Sequence, residues 1–376
     1  MRVLFVTNVL SPYRAEFFSE FGKYCDLTVV AELDSISYRD KKWKTEEYDN
    51  YVYISLHLSP RYHEDTSFSY ELVSYIRQNK KKFDCIIFGV YTDPSQCMAI
   101  CYCKMAGIPY FISDDGGFVP EKNKYLLNTI KSFLLKDARA CLTTSMVSKS
   151  ALLFLGVHHS RIFLYPFSSI KKKQIKTMEE LGSKGLKKKE LDIHERKSVL
   201  YVTQFIPRKR IEDLLKVAKE LKSHDIGFYI IGGKPTTEYL NMVQDDELYN
   251  VHFIEFLNFD KLSAYFTAMD CFVMPTGLDI WGLVVNEAMA HGLPVVSSDR
   301  CLAATQMIDD GVNGYVVPVG DYKLMANKIK RVIYASEEDR IKMQKASLKT
   351  AGEYTIEAMA EKYRSVLELE NLYENA

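Results

Sequence analysis

Pro275-Thr276-Gly277-Leu278-Asp279-Ile280-Trp281-Gly282-Leu283-Val284-Val285-Asn286-Glu287-Ala288-Met289-Ala290-His291-Gly292-Leu293-Pro294-Val295-Val296-Ser297-Ser298 is the stretch on which the reading of this chain turns. The apolar run Cys271–Pro275 reads as a strand, the segment from Gly282 as a helix, and Pro294–Ser298 as a second strand. Strand, polar loop, helix and strand in that order make one parallel βαβ unit. Asp279 precedes the helix and Glu287 lies one turn inside it, so the backbone N–H groups from Gly282 to Val284 are expected between two carboxylates. A helix N-terminus with a glycine that permits close backbone approach is an anion site. Carboxylates beside it repel a phosphate unless they are aimed at neutral hydroxyls, such as a ribose diol or a sugar ring.

The same alternation extends outward in both directions. Strands are expected at Arg2–Thr7, Asp26–Ala31, Tyr51–Ser55, Asp84–Gly89, Pro109–Ser113, Ala140–Ser145 and Ile162–Tyr165. A second set is expected at Val199–Gln204, Gly227–Gly232, Val251–Phe256, Cys271–Pro275, Pro294–Ser298 and Gly314–Pro318, followed by helices from Asp321 to about Tyr373. These define an N-terminal Rossmann-like domain over 1–167, a charged linker over 168–197, a C-terminal Rossmann-like domain over 198–353, and a final helical stretch over 354–376 that packs back on the first domain. Two doubly wound α/β halves imply a cleft, and ligands of open parallel sheets sit outside the carboxyl ends of the strands. Thr7-Asn8-Val9-Leu10-Ser11-Pro12 follows the first strand in place of a GxGxxG, which weakens a dinucleotide-oxidoreductase reading. Walker, HExxH and GxSxG patterns are absent from the sequence.

The 376 residues exceed a single ordinary domain, and 47% hydrophobic with 26% charged residues is globular composition. Net charge is zero, which disfavours a nucleic-acid binder that works by neutralising phosphates. The zero conceals an excess of 7 basic residues over 1–200 and the matching deficit over 201–376; residues 171–190 alone carry +5. A solvated linker is the first reading of that Lys-rich stretch and a membrane-surface patch the second, with Lys80-Lys81-Lys82 beside it. Met1–Thr7 reads as a strand rather than a signal peptide, and no run approaches the roughly 18 apolar residues of a spanning helix. Cys97, Cys101 and Cys103 crowd one expected helix without completing a ligand set, so the cysteines are expected as apolar thiols of a reducing cytoplasm.

The stretch around Asp279, Trp281-Gly282-Leu283 and Glu287, with the following Glu-Ala-Met-Ala-His-Gly-Leu-Pro-Val-Val, resembles the signature of the retaining family-four glycosyltransferases (glycosyl transferases group 1). The resemblance continues through Ser297-Ser298-Asp299, Asp310-Gly311-Val312-Asn313-Gly314 and Val317–Asp321. Upstream it reaches Tyr201–Arg210 and Ile230-Ile231-Gly232-Gly233. It implies the α/β GT-B fold, two Rossmann-like doubly wound parallel-sheet domains facing across a cleft. Three positions depart from the pattern: Asp279 where the family usually has Glu, Gln204 at a usual Arg, and Gln306 at a frequent Glu. Lys209 is in place for a donor diphosphate, with Arg208 or Arg210 as stand-ins for the missing Arg.

The resemblance implies a retaining, metal-independent hexosyltransferase that takes a nucleotide-diphosphate sugar, a UDP-sugar ahead of a GDP-sugar, as co-substrate and needs no other cofactor. Lys209, Asp279 and Asp115 are the expected catalytic residues. Gln204, Arg208, Lys209, Gly232, Gly233, Trp281, Gly282, Leu283, Val284 and Glu287 are expected at the donor, and Tyr13, Arg14 and Asp114 at a glycan or lipid-linked acceptor. Each has a plainer reading: Trp281 as core, Gly232-Gly233 as a tight strand exit, Asp114-Asp115 as an Asp-Gly turn, Tyr13 as a packing residue, and His291 is taken as structural. No metal and no nucleic acid are expected; the location expected is cytoplasmic, with peripheral contact at the inner face of the plasma membrane as an addition. A nucleotide-sugar 2-epimerase-like isomerase and a catalytically silent sugar-nucleotide-binding partner are the rival functions.

Overall fold

Runs such as Ile226-Gly227-Phe228-Tyr229-Ile230-Ile231 are buried over their whole length, as strands covered on both faces must be. The computed structural model describes residues 1–34, 49–61, 63–119, 125–222 and 225–374. It divides into two compact units, Met1–Ser169 together with Thr355–Ala376, and Ile170–Tyr354.

In unit 1 the strands are β1 (Arg2–Val9), β2 (Asp26–Leu33), β3 (Tyr51–Ser55), β4 (Pro60–Arg61), β5 (His63–Ser67), β6 (Cys85–Phe88), β7 (Tyr110–Ser113), β8 (Cys141–Thr143) and β9 (Ile162–Leu164). Among the described residues seven of them form one sheet in the order β3-β2-β1-β6-β7-β8-β9, with Phe5 of β1 in parallel register with Val29 and Ile87. The chain order reverses between β1 and β6, which makes their carboxyl ends the switch point of the sheet. Beneath the sheet Leu4, Val6, Ile86, Phe88, Ile112 and Leu152 share one core cluster. The last helix, Ile356–Glu374, belongs to this unit: Tyr363 is buried against Phe17 (4.9 Å), Tyr165 (5.1 Å) and Phe21 (5.6 Å), and its hydroxyl lies 2.6 Å from Ser113 Oγ. Residues 375 and 376, the end of the expected final stretch, lie outside the described residues.

Unit 2 carries β10 (Lys197–Val202), β11 (Ile226–Ile231), β12 (Val251–Ile254), β13 (Cys271–Met274), β14 (Val295–Ser298) and β15 (Gly314–Val317). They form a parallel sheet in the order β12-β11-β10-β13-β14-β15, with its switch point between β10 and β13. Two parallel-sheet Rossmann-like α/β units are thus present, as the pattern of apolar runs requires.

The Lys-rich stretch expected as a solvated linker is instead part of unit 2. Lys184 Nζ is 2.5 Å from Asp270 Oδ1 and Lys188 Nζ 3.4 Å from Asp270 Oδ2, while Leu181 and Ile193 are buried. A buried carboxylate 86 and 82 positions downstream answers these lysines, and the flanking leucine and isoleucine supply an anchor that charge counting overlooks. Burial pushes the Lys184 ammonium down to about 8 against the pull of Asp270. Lys184 and Lys188 are thus committed to Asp270, while Lys172, Lys173 and Lys189 of the same stretch are exposed. No helix among the described residues is long and apolar enough to cross a membrane.

Candidate active site

The loops that follow β10 and β13 meet at the switch point of unit 2. Gly277 N–H donates to the Arg208 carbonyl at 2.7 Å and Thr276 Oγ1 to the same carbonyl at 3.2 Å, which ties the two loops together. On the other side Asp279 N–H donates to the Arg300 carbonyl (2.8 Å) and Ala303 N–H to the Trp281 carbonyl (2.9 Å). The Asp279 loop is therefore held from two directions before any ligand binds.

This clamping brings Lys209 and Asp279, 70 positions apart in sequence, into an ion pair between Nζ and Oδ2, with side chains only 11% and 15% exposed. Lys209 ends the short turn Pro207–Lys209, and the buried Tyr201 hydroxyl donates to its carbonyl at 2.8 Å. Gly282 starts helix Leu283–Ala290 at φ +99°, where a Cβ would lie 2.7 Å from Cys301 Sγ. Only glycine fits that turn, no side chain caps the helix, and its first N–H groups have no partner within the helix. Leu283, Val284 and Glu287 are half-buried along this helix. Arg208 is exposed and donates Nη1 to the Leu278 carbonyl at 2.9 Å. Arg210 is engaged with Asp213 (Nε to Oδ2, 2.6 Å), so of the two stand-ins for an arginine at 204, Arg208 is the less committed. Gln204 itself is exposed.

Three donor candidates have structural employment. The Trp281 ring is buried, donates Nε1–H to Asn286 Oδ1 at 2.9 Å and stacks on Tyr354 with centroids 6.0 Å apart, so its side chain is core rather than a ligand surface. Gly232, at φ +134°, sits where a Cβ would come 2.2 Å from the Thr203 carbonyl oxygen, and Gly233 faces the Phe205 ring. The close approach of the β10 and β11 exits is enough to require glycine at 232. His291 is buried, its Nδ1 2.8 Å from the Glu287 carbonyl and Nε2 2.7 Å from Ser263 Oγ; burial pushes its pKa down to about 4, so it stays neutral.

In unit 1, Asp114 and Asp115 follow β7 and have different surroundings. Asp114 is buried and accepts from Thr143 Oγ1 at 2.8 Å; burial raises its carboxyl to about 6 despite that hydrogen bond. Asp115 is partly exposed and accepts from Tyr165 Oη at 3.0 Å and from the Arg14 guanidinium. Arg14, expected at the acceptor, is buried with Cζ 5.4 Å from the Phe167 ring centroid and 5.9 Å from that of Phe5. Helix Pro12–Phe21 turns it inward with Phe17 and Phe18, so it holds Asp115 in place. Arg14 Nη1 and Ser11 Oγ are buried and find no hydrogen-bond partner among the described residues. Tyr13 packs edge-on against Phe167 at 5.7 Å.

Sequence reading passed over a second carboxyl pair. Glu32, near the end of β2, is buried beside Asp93, which caps helix Pro94–Ala106 and accepts from Ser67 N–H at 2.7 Å. Gln96 Nε2 donates to Glu32 Oε2 at 3.0 Å. A carboxylate inside the apolar run Val-Val-Ala-Glu-Leu was the available signal. Burial and then the Asp93 charge push Glu32 up to about 8 from an ordinary 4.5. The folded state then holds a proton that the unfolded chain releases, so the contribution of this group to stability is fully present below about pH 4.5 and is lost as pH rises towards 8. Glu32→Gln should flatten that decline in urea titrations; equal slopes for the two proteins between those pH values would refute the shared-proton arrangement.

Residues 183–350, most of unit 2, match the family model described as Glycosyl transferases group 1. The capsular polysaccharide biosynthesis glycosyltransferase CapM of Staphylococcus aureus is 30% identical over 141 residues, 35% of this chain and 36% of that protein. An uncharacterized 41.2 kDa protein in the cps region of Klebsiella pneumoniae is 28% identical over 139 residues, 37% of this chain and 36% of its own length. The matched stretch thus spans little more than a third of these relatives. Among solved structures, Anabaena HepE in complex with UDP superposes with a TM-score of 0.78 at 15% identity, covering 98% of this chain and 100% of that one. That likeness shows the fold, which is the GT-B fold expected from the sequence.

Proposed function

We propose that the protein is a retaining glycosyltransferase that moves a hexosyl unit from a nucleoside-diphosphate sugar to a glycan or lipid-linked acceptor in surface polysaccharide assembly. The observation that carries this reading is the uncapped helix N-terminus at Gly282 beside Lys209, at the switch point of unit 2 and inside the segment matched to group 1 glycosyl transferases. HepE, which shares the fold, was solved with UDP, and this supports a UDP-sugar ahead of a GDP-sugar.

The leaving group is a nucleoside diphosphate, and its developing charge is met by Lys209, Arg208 and the N–H groups of Leu283 and Val284. These are fixed before reaction by the clamped loops, so little reorganisation is needed as the glycosidic bond breaks. Glu287 accepts from ribose hydroxyls. Asp279 holds Lys209 and takes a sugar hydroxyl with its second oxygen. In unit 1 Asp115, oriented by Arg14 and Tyr165, receives an acceptor hydroxyl. Attack from the face that the diphosphate leaves, with a leaving phosphate oxygen taking the acceptor proton, gives retention without a covalent enzyme intermediate. With cationic groups supplied by the protein, the reaction is proposed to run without a metal ion.

The departures at Gln204 and Gln306 keep a catalytically silent sugar-nucleotide binder as the second reading. Incubation with UDP-glucose and a polyprenyl-linked or oligosaccharide acceptor separates the alternatives. Release of UDP only when acceptor is present, unaffected by EDTA, is the expected result. A new sugar nucleotide with no UDP release would show an isomerase, binding without release a silent partner, and loss of transfer restored by Mn²⁺ would overturn the metal-independent chemistry.

A further inference from the structure

The last helix, Ile356–Glu374, turns Ile356, Met359, Ala360, Val366 and Leu367 inward at helical spacing, and all five are buried in unit 1. Tyr363 is fully buried in the same stripe and brings a hydroxyl into it. Phenylalanine would pack against Phe17, Phe21 and Tyr165 as well as tyrosine does, and a buried hydroxyl is unfavourable unless it is bonded. The reason for tyrosine at 363 therefore lies in what its hydroxyl meets.

Two hydroxyls meet it. Tyr363 Oη lies 2.6 Å from Ser113 Oγ and is also hydrogen-bonded to the Tyr165 hydroxyl. Proton count fixes the direction of these bonds. Tyr165 has one hydroxyl proton and gives it to Asp115 Oδ1 at 3.0 Å. Towards Tyr363 it can only accept, so Tyr363 donates to Tyr165 and Ser113 donates to Tyr363. Three O–H groups in sequence, Ser113, Tyr363 and Tyr165, thus point towards one carboxylate, and each bond polarises the next. Burial pushes the Tyr363 phenol up to about 12, so it keeps its proton in neutral solution.

Asp115 Oδ1, at the end of this chain, also accepts from Arg14 Nη2. Among the described residues Asp115 Oδ2 has no partner, and the side chain is 34% exposed. One carboxylate oxygen is anchored in the buried cluster and the other is left for a ligand. We propose that Tyr363 is a positioning residue for the transfer reaction: acting through Tyr165, it fixes Asp115 Oδ1 so that Oδ2 is presented to the acceptor hydroxyl. This rests on the reading of Asp115 as the carboxylate that meets the acceptor. It makes the last helix, which follows unit 2 in the sequence, a working part of unit 1, with Ser113 at the far end of the chain.

Tyr363→Phe and Tyr165→Phe, singly and together, test the proposal in the intact protein. With UDP-glucose and the polyprenyl-linked or oligosaccharide acceptor of the transfer assay, Tyr363→Phe should lower kcat at least about fivefold and leave the KM for UDP-glucose and the affinity for UDP unchanged. The double variant should lose no more than Tyr165→Phe alone, because Tyr363 acts through that residue. Amide hydrogen exchange at residues 115–117 should be faster in Tyr363→Phe than in wild type. Phe21→Leu, which thins the packing on the Tyr363 ring and keeps every hydroxyl, should lower the melting temperature without changing kcat or that exchange. Wild-type kcat in Tyr363→Phe, unchanged exchange at 115–117, additive losses in the double variant, or the same kcat loss in Phe21→Leu would each overturn the proposal. Absence of transfer by the wild type would count against the glycosyltransferase reading instead, and exchange at 115–117 would still decide whether Tyr363 holds Asp115.

Discussion

Lys209→Ala should lower kcat/KM at least about a hundredfold, the largest loss expected from any single substitution in unit 2. The ammonium sits at the switch point beside the uncapped helix start, where the departing diphosphate is proposed to lie. Removing a charge-assisted hydrogen bond costs about 1.5–3 kcal/mol, and the freed Asp279 carboxylate, little exposed, adds repulsion against the same phosphate. The loss should appear in both UDP affinity and turnover. A folded Lys209→Ala protein with wild-type kinetics would remove Lys209 from the reaction.

Asp279→Asn should separate the two readouts that Lys209→Ala moves together. Asparagine keeps the size of the side chain and releases Lys209 from its counter-charge, so UDP should bind as well as to wild type or more tightly. Turnover should fall by at least about tenfold, because the carboxylate no longer positions Lys209 or accepts from the sugar hydroxyl. If the Asp279 carboxylate served only to hold the local loop, binding and turnover would be lost together; the backbone bonds of residue 279 to Arg300 and Leu302 are kept in the variant. Asp279→Glu, the residue usual in the resembling family, should retain partial activity.

Hydrophobic periodicity locates the 13 strands that the described residues contribute to the two parallel sheets, because each is a short apolar run bounded by turn residues. The hairpin β4–β5 escaped, since Pro60-Arg61 and His63-Glu64-Asp65-Thr66-Ser67 show no apolar alternation. Residues 171–190 were misread for a related reason: composition records their charge but not the Asp270 carboxylate that draws Lys184 and Lys188 onto unit 2. At the site, the strand–loop–helix order placed Asp279, Gly282 and Glu287 correctly along the chain. The Lys209–Asp279 pair was not legible, because it depends on β10 and β13 being neighbours in the sheet. Arg14 and Trp281 were legible as residues but not in their direction; whether a side chain faces a ligand or the core is decided by packing around helix Pro12–Phe21 and by Asn286 and Tyr354.

Calorimetric titration of UDP and GDP into the intact chain, beside Glu287→Gln, measures the donor site without needing an acceptor. UDP should bind with one site per chain and more tightly than GDP, and Glu287→Gln should weaken it by at least about tenfold through the lost bond to a ribose hydroxyl. No measurable binding of either nucleotide, or the same affinity in the Glu287→Gln protein, would contradict a nucleotide-sugar site at the Gly282 helix.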